Sequence, residues 1–119
     1  MRWCLLCLAT LSIVALCGAE SAPRVQATIY SAENCPPCRR FVAAVKKEMP
    51  PDGWIVREAS DKDAATAHIV LTRQVDPADN IDLFPTTIIR SNGREVDRIR
   101  GYISPTKLAQ AIRAQQSKQ

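Results

Sequence analysis

Cys35 and Cys38 stand three positions apart in Ala32-Glu33-Asn34-Cys35-Pro36-Pro37-Cys38, where a helical pattern of apolar residues begins. Thiol–disulfide exchange needs one exposed, readily ionised thiol and a second thiol near enough to displace the first from a mixed disulfide. A C-x-x-C spacing at a helix start meets both needs. Cys35 would have its thiolate stabilised by unpaired backbone N–H groups and the positive end of the helix dipole. Cys38 falls one turn later on the stripe that continues through Phe41, Val42 and Val45, so it is expected to face inward and to resolve what Cys35 captures. Neither Pro36 nor Pro37 can donate an N–H to the Cys35 sulfur, so stabilisation must come from Cys38 and later groups. Arg39 and Arg40 would lower the Cys35 pKa a little, although a solvated surface role weighs more.

Other readings of the pair stay open. A purely structural disulfide that staples the helix start, in a non-catalytic binding or assembly module, is the strongest competitor. A framework disulfide would, however, usually join more distant partners, because a short loop removes little unfolded-state entropy. A zinc site wants four ligands, and beyond the pair only His68 is offered. Copper carriage is poorly supported, since no second His or Met lies near the motif in sequence. His68 itself reads as a helix-surface or packed histidine.

The elements that must position the cysteines follow from periodicity. Val25, Ala27 and Ile29 alternate with polar neighbours and read as a strand with one buried face. The helix beginning at Cys35 runs through Met49 and is stopped by Pro50-Pro51-Asp52-Gly53. Trp54 to Ala59 reads as a second strand. Ser60 and Asp63 stand in capping-box relation ahead of Ala64 to Gln74, which predicts a second helix, with Ile69 to Thr72 as a strand in the alternative reading. Asp76 to Asn80 is a loop, Pro85 to Arg90 a third strand, Asn92-Gly93 a tight hairpin and Arg94 to Arg100 a fourth strand. Val96 and Ile99 fall on opposite faces of that last strand, which calls for a bulge. Ser104-Pro105 opens a final helix with Leu108, Ala111 and Ile112 on one face. The order is βαβαββα, with a parallel first pair joined by a right-handed crossover and a mixed four-stranded sheet flanked by helices.

The chain has 119 residues, enough for one domain, with 46% hydrophobic and 24% charged residues and a formal charge of +4. That excess is small and its basic residues are dispersed, which argues against nucleic acid as a partner. Residues 1–22 read as an export segment: Arg2, an apolar run from Leu5 to Cys17, then the small residues Gly18, Ala19, Ser21 and Ala22. The run is shorter than the ~20 residues a membrane-spanning helix needs, so a cleaved signal peptide is favoured over an anchor starting at Trp3. Lipid modification of Cys17 is a third reading, weakened by Leu16 before it. With Cys4, Cys7 and Cys17 inside the segment, only Cys35 and Cys38 remain in the domain at 23–119. Export, periplasmic or extracellular, places them where disulfides persist. The membrane enters only through the anchor reading, and a monomer is expected.

Together these residues resemble the thioredoxin superfamily over about Val25 to Ile112. The cysteine loop looks like the thioredoxin active-site loop, with Asn34 where thioredoxins carry Trp. Ile81-Asp82-Leu83-Phe84-Pro85-Thr86-Thr87-Ile88-Ile89, then Ser91-Asn92-Gly93 and Gly101, match the family's second signature without a gap. The resemblance implies a thioredoxin-like α/β fold and a thiol–disulfide oxidoreductase with Cys35 and Cys38 as its catalytic pair. Asn34, Pro36 and Pro37 would form its active-site loop. It implies no cofactor or metal beyond the redox-active Cys35–Cys38 disulfide. Its partners would be protein thiols or disulfides, with a redox partner the sequence does not name. It further implies that Pro85 is a cis-proline facing the sulfurs, that the Phe84 backbone pairs with a bound substrate strand, and that Gly101 lies beside that groove. Ile29 stands where thioredoxins bury an Asp beneath the cysteines, which leaves solvent, Glu33 or Glu58 to take the Cys38 proton. The small domain, with no inserted substrate-binding subdomain, favours a reductant or electron relay over an oxidase.

Overall fold

The alternation from Val25 is realised as strand β1, Val25–Tyr30, whose odd-numbered side chains are buried. In the computed structural model, which describes residues 22–118, helix α1 follows at Pro36–Glu48, with Cys35 as its N-cap and Lys46 and Lys47 complementing the dipole at its far end. A short 3₁₀ turn over Pro50–Asp52 then closes on Gly53, whose φ of +91° a glycine adopts without a Cβ penalty. Strands β2 (Val56–Glu58), β3 (Ile69–Thr72), β4 (Thr86–Ser91) and β5 (Arg94–Arg100) follow, and helix α2 (Pro105–Gln116) ends the fold. The Ser104 hydroxyl caps α2 by accepting the Lys107 N–H at 3.2 Å.

The sheet has five strands in the order β2-β3-β1-β4-β5. This corrects the four-stranded expectation. The segment read as a helix over Ala64–Gln74 is one 3₁₀ turn, Ala64–Thr66, followed by β3, so the order is βαββββα. The physical reason is burial on both faces. Ile69, Val70 and Leu71 are consecutively buried between β1 and β2, and a doubly covered strand shows an unbroken apolar run instead of an alternation. The capping box does not form either. The Asp63 carboxylate bonds Arg57 at 2.8 Å and accepts no cap N–H. The Gln26 amide holds the turn by donating to the Ala64 and Ala67 carbonyls. The first parallel pair is corrected too: β1 and β2 run in the same direction, but β3 lies between them. The bulge in β5 is present. Ile89 faces Asp97 while Arg90 faces Glu95, which leaves Val96 as the extra residue.

Both helices cover the same face of the sheet. Phe41 and Val45 of α1, Met49 just after it, and Leu108 and Ile112 of α2 pack on Val25, Ala27, Ile29, Ile69, Leu71 and Ile89. Each of the larger side chains in this set contributes about 1.5–3 kcal/mol on burial, so this layer fixes where α1, and with it the cysteine pair, sits on β1. The other face is held by a polar knot. Tyr30 Oη donates to Asp79 Oδ2 at 2.9 Å, and Arg90 reaches both Tyr30 Oη and Asp79 Oδ1 at 3.2 Å. Arg98 donates to the backbone carbonyls of Asp79 and Asn80. The loop between β3 and β4 is thereby tied to the sheet just before Phe84. Among the described residues, no helix is long and apolar enough to cross a membrane. The export readings, including Cys17, fall on residues 1–21, outside the described residues, apart from Ala22.

Candidate active site

Tyr30 ends β1, and the chain turns through Asn34 at φ +55°, a left-handed conformation that Asn tolerates better than most residues. That turn sets Cys35 at the helix start. Pro36 and Pro37 fill the first helical positions, where an N–H has no intrahelical acceptor in any case. The first available amide is that of Cys38, and it donates to Cys35 Sγ at 3.3 Å. Cys35 and Cys38 are joined by a disulfide with Cα atoms 5.2 Å apart. Cys35 is half-buried, whereas Cys38 is only 2% exposed. The outer and inner placement read from the helical stripe is therefore observed.

The second signature lies against the first. The Phe84–Pro85 peptide is cis, and the Phe84 carbonyl oxygen lies 3.8 Å from Cys35 Sγ. The Pro85 carbonyl accepts the Gly101 N–H at 2.7 Å, and Thr86 Oγ1 donates to the Leu83 carbonyl at 2.6 Å. Gly101 has φ +94° with nothing within 4 Å of an added Cβ, so the backbone angle, and not lack of space, calls for glycine there. Asn34, Cys35, Pro36, Pro37, Cys38, Phe84, Pro85 and Gly101 thus gather at one edge of the fold. Leu83 and Tyr102, exposed at 43% and 53%, flank this cluster in sequence, and Tyr102 packs edge-on against Phe41. Sequence reasoning gave neither of them a role. The signal for Tyr102 is a large aromatic placed directly after the conformationally required Gly101.

Ile29 is fully buried in the apolar core. The strand registers place it in one cross-sheet row, Glu58–Leu71–Ile29–Thr87–Ile99. Thr87 is also fully buried, and its hydroxyl has no hydrogen-bond partner, a condition that ordinarily costs about 1–3 kcal/mol. On the other side, an open groove of about 820 Å³ runs between α1 and the β2–β3 edge. Cys38, Arg39, Lys46, Glu58 and Arg73 line it, and Lys46 Nζ pairs with Glu58 at 2.7 Å. Glu58 therefore shares a water-accessible groove with Cys38, while Glu33 lies exposed before the motif.

His68 is away from the cysteines. Its Nδ1 accepts the Ile55 N–H at 2.9 Å, and its ring stands edge-on to Trp54. Among the described residues, no three His, Cys, Asp or Glu side chains gather as a metal site.

A family model described as thioredoxin-like domain matches residues 16–116. Solved structures resemble the chain over most of its length. A thioredoxin of Plasmodium falciparum aligns at TM-score 0.54 and 20% identity, covering 80% of this chain and 85% of that one. The Malassezia sympodialis thioredoxin Mala s 13 aligns at 0.52 and 22%, covering 80% and 77%. That of Fasciola hepatica aligns at 0.52 and 23%, covering 78% and 82%. At these identities the likeness is one of fold, and no curated protein matches the chain. The extent of the family match and the paired Cys35–Cys38 motif place the chain in the thioredoxin-like domain family.

Proposed function

We propose that this chain is a dithiol–disulfide exchange enzyme that acts on protein substrates outside the cytoplasm, as a reductant or electron relay. The observation that carries the proposal is the asymmetry of the pair. Cys35 caps the helix, half-buried and against the Phe84 carbonyl before cis-Pro85, while Cys38 is buried behind it and borders the groove. In the reductive direction the Cys35 thiolate attacks a substrate disulfide, forming a mixed disulfide and expelling one substrate thiolate. Cys38, deprotonated, then attacks Cys35 Sγ. The bond between Cys35 and substrate breaks, its electron pair leaves on the second substrate sulfur, and the Cys35–Cys38 disulfide remains. A redox partner must return two electrons before the next cycle. The Cys38 amide aimed at Cys35 Sγ and the helix dipole both favour the thiolate that starts the cycle. The Phe84 backbone, Pro85 and Gly101 form the wall against which an extended substrate strand would lie.

Export rests on Arg2, the apolar run Leu5–Cys17 and the small residues after it, together with a domain whose cysteines are just the redox pair. We take the segment as a signal peptide, the domain as 23–119, and the working unit as a monomer. The test is reduction of insulin disulfides with dithiothreitol as electron source. Wild type is expected to be active and Cys35→Ser inactive, while Cys38→Ser accumulates a mixed disulfide. Equal activity of wild type and Cys35→Ser would end the proposal. A Cys35–Cys38 bond that dithiothreitol leaves intact would favour a structural staple instead.

A further inference from the structure

Arg39, Lys46 and Arg73 are scattered along the sequence, and the fold brings them to the one groove that borders Cys38. Arg39 and Lys46 share a stripe of α1 with Val42 between them. The facing side is built from the carboxyl ends of the three parallel strands: Ser31 follows β1, Glu58 ends β2 and Arg73 follows β3. Ile29 and Glu58 both pair with Leu71, which brings those ends level. Open α/β sheets take their ligands in crevices of this kind, outside the carboxyl ends of the strands. The charges in the groove do not balance. Glu58 is its one carboxylate among the described residues, and Lys46 already holds it at 2.7 Å. The Arg39 and Arg73 side chains have no ion pair and no hydrogen bond among the described residues. Two guanidinium groups therefore stand unpaired beside the apolar Val42 and Leu71.

We propose that this groove docks an extended acidic segment of the protein partner, holding its carboxylates on Arg39 and Arg73 while a sulfur of that partner engages Cys35. The inference rests on the exchange reading and adds the class of partner. A guanidinium meets a carboxylate through two parallel N–H donors, a fit that a lysine does not offer. From Arg39 to Lys46 the helix advances about 10.5 Å. Three or four extended residues cover that length at about 3.3 Å each. A small anion needs no such length and would leave Val42 and Leu71 uncovered. The strand β1 lies between β3 and β4, so the groove on the β3 side and the Phe84–Pro85 segment leading into β4 flank the cysteine pair from two sides. A partner joined to Cys35 can therefore touch both. Such docking is electrostatic: it acts on encounter and affinity, weakens with salt, and leaves the sulfur exchange itself unchanged.

The test uses the oxidised protein and a fluorescent, end-blocked hexapeptide that carries glutamates and no cysteine, so binding is read without exchange. At low salt, wild type is expected to bind it about tenfold more tightly than the same peptide with glutamines. The difference should vanish in about 1 M salt, where the screening length falls to about 3 Å. Arg39→Glu and Arg73→Glu should each weaken binding about tenfold, and Glu58→Gln, which frees Lys46, should strengthen it about threefold. Arg94→Glu makes the same change of net charge away from the groove and should stay within about twofold of wild type. Equal binding of the two peptides, or an Arg73→Glu variant that matches Arg94→Glu, would overturn the proposal. Displacement of the peptide by an equal concentration of succinate would assign the groove to a small anion and overturn it too. A wild type that binds the glutamate peptide yet reduces no insulin would remove the exchange reading and leave the groove as the acidic-segment site of a non-catalytic module.

Discussion

The Gly101 N–H binds the Pro85 carbonyl at 2.7 Å, with the Gly101 backbone in the left-handed region at φ +94°. This bond joins the start of the loop after β5 to the cis-proline that follows the Phe84 carbonyl beside Cys35, so the wall proposed for the site depends on one residue without a side chain. Gly101→Ala meets no steric obstacle but must hold an L residue in the left-handed region, at a cost of about 1–2 kcal/mol. Urea unfolding should show that loss, and insulin reduction should slow severalfold because Pro85 is less firmly held. Unchanged stability would mean that the backbone relaxes without cost.

Ile29→Asp would place an acid at the position where the resemblance to thioredoxins expects one, opposite Thr87 in the strand register. Desolvation at this fully buried position should raise the new carboxyl well above the ~3.9 of an exposed Asp. A folded-state pKa above the unfolded one means that the variant is most stable at low pH and loses stability as pH rises from about 4 through the folded value. A three-unit shift corresponds to about 4 kcal/mol lost by neutral pH. Mixed-disulfide resolution near neutral pH should accelerate if the new carboxylate takes the Cys38 proton. An unaltered rate would show that the native route to Cys38 deprotonation already suffices.

Much of this site was legible in the residues. Cys35 at the helix start, Cys38 as its inward neighbour, the cis-proline and the hairpin all follow from local spacing or from motif resemblance. The second helix was misread because Ile69-Val70-Leu71 is buried on both faces, and a short apolar run carries no period to separate strand from helix. The row Glu58–Leu71–Ile29–Thr87–Ile99 was beyond reach for a different reason. It requires the strand order, in which β3 inserts between β1 and β2. Thr86 and Thr87 are alike in sequence, and only the face each takes in β4 separates a satisfied hydroxyl from an orphan one.

Tyr30 offers a check on the opposite face. Burial pushes its phenol above the usual value of 10.0; Arg90 opposes the shift and the bond to Asp79 adds to it. With the folded value above the unfolded one, this contribution is fully present below pH 10 and is lost as pH climbs through the folded value. Tyr30→Phe should cost about 1 kcal/mol at neutral pH through the lost bond to Asp79 and flatten the alkaline limb of the stability curve. Equal slopes for the two proteins above pH 10 would dissociate Tyr30 from that limb.

Glu58 stands on the groove that reaches Cys38, yet its carboxylate is held by Lys46 at an exposed position. Surface pairs of this kind contribute about 0–1 kcal/mol. If water takes the Cys38 proton, Glu58→Gln should leave resolution within twofold of wild type and stability nearly unchanged. A tenfold slowing at neutral pH would assign the proton to Glu58.

Pro37 is the strongest lever on the outer cysteine. An N-cap side chain accepts from the amides two and three positions on, and at Cys35 the first of these belongs to a proline, leaving Cys38 as donor. Pro37→Ala restores the missing N–H without adding bulk. A second amide aimed at Cys35 Sγ should lower the thiolate pKa in the reduced protein by about half a unit to one unit. Thiolate absorbance near 240 nm against pH reads this directly. Favouring the thiolate favours the reduced form, so at neutral pH the Cys35–Cys38 couple should become more oxidising. A Cys35 pKa that stays put, with α1 intact by circular dichroism, would mean that the second amide points away from the sulfur and that the helix dipole and Cys38 already set the nucleophile.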